Sequence, residues 1–207
     1  MLKRKCLLTY NEPLLIHLSY QHVPWVYAFR FLRTSNSLAS GHHIDRWKEN
    51  FESIATLAQQ QNDRGIWLAS CLMEALAHLR HNGPDSMEAA QGAIAAAWSY
   101  QTERACQIPQ LIALAHMIDV SCSIRQGSSP NVTMPKIKQL QKSMDLALKD
   151  EEAWGITSES IAIPMSRSAH SSQVVSSDTR TVLGIGRDGR DNLMLSFLTK
   201  RDAFSIT

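Results

Sequence analysis

Residues 44–83 read IDRWKENFESIATLAQQQNDRGIWLASCLMEALAHLRHNG, and their spacing decides the fold class. Trp47, Phe51, Ile54, Leu57 and Ala58 follow one another by steps of four, three, three and one. Those steps place all five on one face of a helix. Arg46, Lys48, Glu49, Glu52 and the glutamines cover the other side. Asn62-Asp63 breaks the chain, and a second stripe follows at Leu68, Leu72, Ala75, Leu76 and Leu79. It ends at Asn82-Gly83-Pro84, where a residue that accepts a left-handed conformation precedes one that cannot continue a helix. The spacing predicts two helices, about 44–61 and 64–81, joined by a short turn.

Before this pair, Pro24 suits the first turn of a helix. Trp25, Phe29 and Leu32 fall at helical spacing after it, and Gly41 is a natural stop. Residues 1–22 read as an atypical segment, with Pro13 and Pro24 bracketing the apolar piece Leu14 to Leu18. After the pair, Asp85-Ser86-Met87-Glu88 opens a fourth helix, Asp85 as its cap and Glu88 answering as in a capping box. The alanines of this helix let a neighbour come close, with Ile94 and Trp98 as large fillers. A fifth helix, about 108–125, is apolar nearly all round and so buried on several sides. Thr133 is expected to cap a sixth helix with Pro135 in its first turn and a stripe of Met134, Ile137, Leu140, Met144 and Ala147.

The helical region therefore spans 23–154. Residues 155–180 are rich in serine, contain Pro164, and read as an exposed loop. Thr181–Ile185 and Asn192–Leu198 read as strands joined through Asp188-Gly189, a hairpin over 181–198. Residues 199–207 read as the start of a truncated helix. The helix–turn–helix unit recurs at roughly 40 residues, a solenoid-like spacing. The expected fold is mainly α, with stacked helical hairpins in an α–α superhelix and a short β-hairpin near the C-terminus.

Composition excludes several classes. Hydrophobic residues make up 44% of 207, too many for a disordered chain. Lys and Arg number 21 against 19 Asp and Glu, so no large positive field exists to attract a polyanion. Cys6, Cys71, Cys106 and Cys122 form no Cys-x-x-Cys pair and read as free thiols of a reduced compartment. The longest apolar stretch, Ile108 to Ile124, is interrupted by Pro109, Gln110, His116 and Asp119, so it does not read as a membrane span. The opening Met1 to Leu8 lacks the cleavage site of a signal peptide, and Asn131-Val132-Thr133 would be a glycosylation acceptor only in a secreted chain.

Each motif with a chemical reading has a plainer one. Gly184-Ile185-Gly186-Arg187-Asp188-Gly189 fits G-x-G-x-x-G, but a dinucleotide site needs a helix after the glycines. A strand is expected there, so the glycines read as a hairpin turn, and a nucleotide-dependent enzyme is the least favoured alternative. His78 and His81, with His42 and His43, lack the carboxylate or thiol that would complete a metal site. His116, Asp119 and Cys122 share one helix face, and a core histidine explains them better than a nucleophile does. No catalytic, cofactor or metal residue is expected. Trp25, Phe29 and Arg33 lie on or beside one stripe and are the candidate partner anchor, two rings with a flanking charge. The competing reading makes Trp25 and Phe29 simply core.

Four phrases then carry a family resemblance: Val23-Pro24-Trp25-Val26-Tyr27-Ala28-Phe29-Arg30-Phe31-Leu32-Arg33; Met73-Glu74-Ala75-Leu76-Ala77-His78-Leu79-Arg80; Ile108-Pro109-Gln110-Leu111 on to Asp119; and Asp188-Gly189-Arg190-Asp191 on to Lys200-Arg201-Asp202. In this order they resemble the fungal form of the tetratricopeptide subunit of the cohesin loader, over about residues 23–204. The resemblance implies a nuclear, non-enzymatic superhelix that clasps an extended segment of the large HEAT-repeat loader subunit. It implies contact with cohesin and chromatin through that partner, with no cofactor. Members of that family are longer, so the chain is expected to be an internal or truncated piece. A generic helical-repeat module of another intracellular complex is the alternative.

Overall fold

The hairpin of helices stands where the spacing places it, as α2 (Ile44–Gln61) and α3 (Arg64–His81). Around it lie α1 (Val23–Ala39), α4 (Ser86–Trp98), α5 (Pro109–Arg125) and α6 (Pro130–Lys149). Three strands follow, β1 (Ile161–Ser168), β2 (Leu183–Ile185) and β3 (Arg190–Leu195). This computed structural model describes residues 23–39, 44–81, 83–100, 102–103, 106–149, 160–168, 181–186 and 189–195. The segment 1–22, the helix start expected at 199–207, and His42 and His43 lie outside the described residues.

The turn between α2 and α3 closes by a Schellman arrangement. Asn62 takes φ 59°, and its N–H donates to Gln59 O at 3.2 Å. Asp63 N–H donates to Ala58 O at 2.8 Å, so two orphan carbonyls of α2 find partners. Gly127, at φ 64°, ends α5 in the same way, with Ser128 N–H reaching Ser123 O at 3.0 Å.

Two helix starts differ from expectation. Asp85 does stand at the N-cap of α4, but its side chain makes no capping bond. Its φ −97°, ψ 3° is outside the extended region that aims a cap side chain at the first-turn amides. Ser86 Oγ donates to Gly83 O at 2.6 Å instead. α6 begins at Pro130, ahead of Thr133, because a proline at the first helical position loses no bond. Pro135 therefore sits inside the helix, and the Thr133 hydroxyl points back to Ser129 O at 3.3 Å.

Successive helices pack against each other, and α3 also meets α5. α3 is buried almost all round, from Gly65 and Ile66 through Leu72 to Leu79, and forms the axis of the molecule. Arg125 Nη1 donates to Leu79 O at 2.6 Å, tying α5 to the end of α3. Lys136 reaches both Asp119 Oδ1, at 2.8 Å, and Ser123 Oγ, at 2.9 Å, joining α6 to α5.

Residues 161–168 differ most from expectation: they are a strand within the segment read as an exposed serine-rich loop. The hairpin is present as β2 and β3, with Gly189 at φ 73° in its turn. β1 adds to it, so the sheet is three-stranded and antiparallel, in the order β1-β3-β2. Ile161, Ile163, Met165, Leu183, Leu193 and Leu195 are buried and join the same core cluster as the helices. β1 packs on α3 and β3 on α1, so the chain returns from α6 to the opposite end of the helical stack.

The fastening point is Asp63, 4% exposed. Its Oδ2 accepts from Tyr27 Oη of α1 at 2.9 Å. Its Oδ1 accepts from Ser166 N at 2.6 Å and Ser166 Oγ at 2.7 Å. One carboxylate thus joins α1, the α2–α3 turn and β1.

Candidate functional site

α1 carries two apolar stripes. Val23, Tyr27 and Phe31 are buried in the core. Trp25, Ala28, Phe29 and Leu32 run beside them at helical spacing and are only partly covered. Phe29 is 63% exposed and Leu32 58%. The Trp25 and Phe29 rings lie 5.8 Å apart, centroid to centroid, tilted by 31°. Val182, just before β2, Met194 and Leu195 of β3 and Met73 of α3 line the same space. The result is an open apolar groove of about 370 Å³.

The three candidate anchor residues are therefore placed differently. Trp25 is half-buried against the core and lines the groove. Phe29 lines it and is mostly solvent-exposed. Arg33 is exposed and does not line it. Leu32, Val182, Met194 and Met73 are among the other lining residues and were missed. Leu32 had a signal, lying three residues after Phe29. The others come from distant parts of the chain.

A second cavity, about 410 Å³, lies among α3, α4, α5 and α6, with Trp98, Leu111, His116 and Gln139 in its wall. Trp98 and His116 rings stand 5.0 Å apart at 43°. Burial lowers the His116 pKa, against the pull of Asp119, and so favours the neutral imidazole. Asp119 is held by Lys136. Burial raises the Cys122 thiol, so His116, Asp119 and Cys122 do not make an activated nucleophile. The other buried thiols behave alike: Cys71 is pushed up to about 12 and Cys106 to about 11, chiefly by burial.

His78 packs edge-on against Trp47 at 4.9 Å and lies 3.8 Å from Glu74. Burial, then Lys48 and His81, lower its pKa. Among the described residues no three His, Cys, Asp or Glu side chains converge as metal ligands. Gly184 lies in β2 and Gly189 in the turn before β3, so a strand follows the glycines where a dinucleotide site needs a helix. No helix among the described residues is long and apolar enough to cross a membrane.

Of the two cavities, the groove is thus the one with large exposed apolar side chains, Phe29 and Leu32, along one wall. No curated protein and no solved structure matches the chain. A family model described as cohesin loading factor matches residues 15–207. That match spans nearly the whole sequence, and the chain belongs to the cohesin loading factor family.

Proposed function

We propose that this chain is a non-enzymatic adaptor of a cohesin-loading complex. It holds an extended segment of the large HEAT-repeat loader subunit, and through that partner it serves sister chromatid cohesion on chromatin in the nucleus. Family membership supports the cohesin-loading role. The observation that carries the binding role is the Phe29–Leu32 stripe, open to solvent above an apolar groove. Large exposed apolar side chains grouped on one surface mark partner sites more often than they mark chance exposure. Aromatic anchors seated in a groove supply most of the energy of such contacts. The α3–α5 contact supports tetratricopeptide-like stacking, in which helices of neighbouring hairpins touch across the connecting element.

Size-exclusion chromatography of the chain with the N-terminal segment of the large loader subunit from the same organism tests this reading. A shared peak, lost when the segment is omitted, is expected. Separate peaks from a chain that circular dichroism shows to be folded would overturn it.

A further inference from the structure

The two edges of the sheet are built differently. Met194 N–H donates to Val182 O at 2.9 Å, and Gly186 N–H to Arg190 O at 2.8 Å. In an antiparallel ladder, residues alternate between pairs that bond across and pairs that point away. With Gly184 opposite Asn192, residues 182, 184 and 186 therefore bond toward β3. Leu183 and Ile185 turn their N–H and C=O groups to the other side, where no further strand stands among the described residues.

β1 forms the opposite edge, and from Pro164 onward it is closed. Its bonding partners on β3 are Leu195 and Leu193, which face Ile161 and Ile163. Pro164 faces outward and has no donor to offer. The next outward donor, Ser166 N–H, is taken by Asp63 at 2.6 Å. Proline and a covering loop are two of the ways proteins blunt a sheet edge. β2 has neither a proline nor a lysine, and its Ile185 side chain is 66% exposed. Val182, one residue before β2, lines the groove with Trp25, Phe29 and Leu32. The open edge therefore begins next to a residue that lines the apolar groove.

We infer that β2 is a docking edge: an extended segment of the partner chain adds there as a fourth strand and places an apolar side chain in the groove. The guest is extended, apolar at alternate positions, and free of proline where it pairs with Leu183 and Ile185. A second copy fits less well. Pairing β2 with β2 would set Leu183 opposite Ile185 of the other copy and leave both grooves unfilled. The inference rests on the proposed function for the partner's identity, but it concerns the mode of binding.

Ile185→Pro removes an outward donor and leaves the ladder to β3 intact, because Ile185 does not bond inward. Binding of the N-terminal segment of the large loader subunit is measured for the wild-type chain, Ile185→Pro and Ile185→Thr, which keeps the N–H. Amide exchange is followed at Leu183 and Ile185. Ile185→Pro is expected to bind about tenfold more weakly than wild type at unchanged melting temperature, the scale of one hydrogen bond and its surroundings. Ile185→Thr is expected to bind more tightly than the proline variant, and both amides to slow in exchange when the wild-type complex forms. Should wild type bind while the proline variant binds equally and the amides stay unprotected, the edge is not the site and the adaptor reading stands. No binding by wild type would overturn both. A concentration-dependent dimer of the chain alone, broken by Ile185→Pro, would assign the edge to a second copy instead.

Discussion

Asp63 concentrates more of the tertiary structure than any apolar residue beside it. Its buried carboxylate accepts from Tyr27 Oη, Ser166 N and Ser166 Oγ, and Ser166 Oγ also lies 2.8 Å from Gln61 O. Truncating it takes the acceptor from the buried Tyr27 hydroxyl and from the Ser166 N–H, and a buried donor left unmet costs about 1–3 kcal/mol. Asp63→Ala is expected to destabilise the chain by about 3 kcal/mol in urea unfolding. Tyr27→Phe removes one donor from an acceptor that keeps others, so about 1 kcal/mol is expected. The sequence showed Asn62-Asp63 only as a break between stripes, since partners 36 and 103 residues away leave no local pattern. Histidines set the pH response. Burial lowers both His78 and His116 below the ordinary value of 6.5. The unfolded chain then takes up protons first, so their contribution is complete above pH 6.5 and is lost as pH falls toward the folded values. Glu74 has the opposite sign: raised from 4.5 by burial and then by Glu52, its contribution is complete below 4.5 and fades as pH rises. Melting temperature should drop between about pH 7 and pH 5.5, and His116→Gln should reduce the drop.

At the scale of elements, the helices were legible because most bury a stripe at a period of 3.6, while α3 and α5 are apolar on several sides and lie inside the stack. β1 was not, although the signal was present. Ile161, Ile163 and Met165 alternate with Ala162 and Pro164, the period of a half-buried strand. The proline and the surrounding serines outweighed three apolar positions, yet an edge strand tolerates proline where no ladder bond is needed. The start of α6 was misplaced for a related reason: two prolines, Pro130 and Pro135, compete for the first turn, and only one can occupy it. Pro135 consequently interrupts the helical bonding inside α6, where its exposed ring contributes little packing. Pro135→Ala is expected to stabilise the chain by about 1–2 kcal/mol, less than the full interior cost because water can reach the freed carbonyl. Thermal unfolding measures the gain. A loss would mean that the proline fixes the approach of the loop more strongly than it weakens the helix.

Across the whole molecule, helices and sheet share one apolar cluster, so unfolding should be a single transition by far-ultraviolet dichroism and tryptophan fluorescence alike. The groove is a product of that shared core. α1 supplies Trp25, Phe29 and Leu32, and the far later β-hairpin region supplies Val182 and Met194. Sequence spacing could reveal the first wall but not the second, and it could not separate an anchor from a core residue. Exposure separates them. Trp25 packs on the core, so Trp25→Ala should lower stability by about 2 kcal/mol and weaken binding as well. Phe29 and Leu32 contribute little to folding while exposed, so Phe29→Ala with Leu32→Ala should leave stability within about 0.5 kcal/mol of wild type. If they seat a partner, the same pair should weaken capture of the large loader subunit by about thirtyfold, the scale of an interface hot spot. The two measurements discriminate together. Lost binding at unchanged stability identifies the stripe as an anchor, while a stability loss of several kcal/mol would return both side chains to the core and leave the groove without its function.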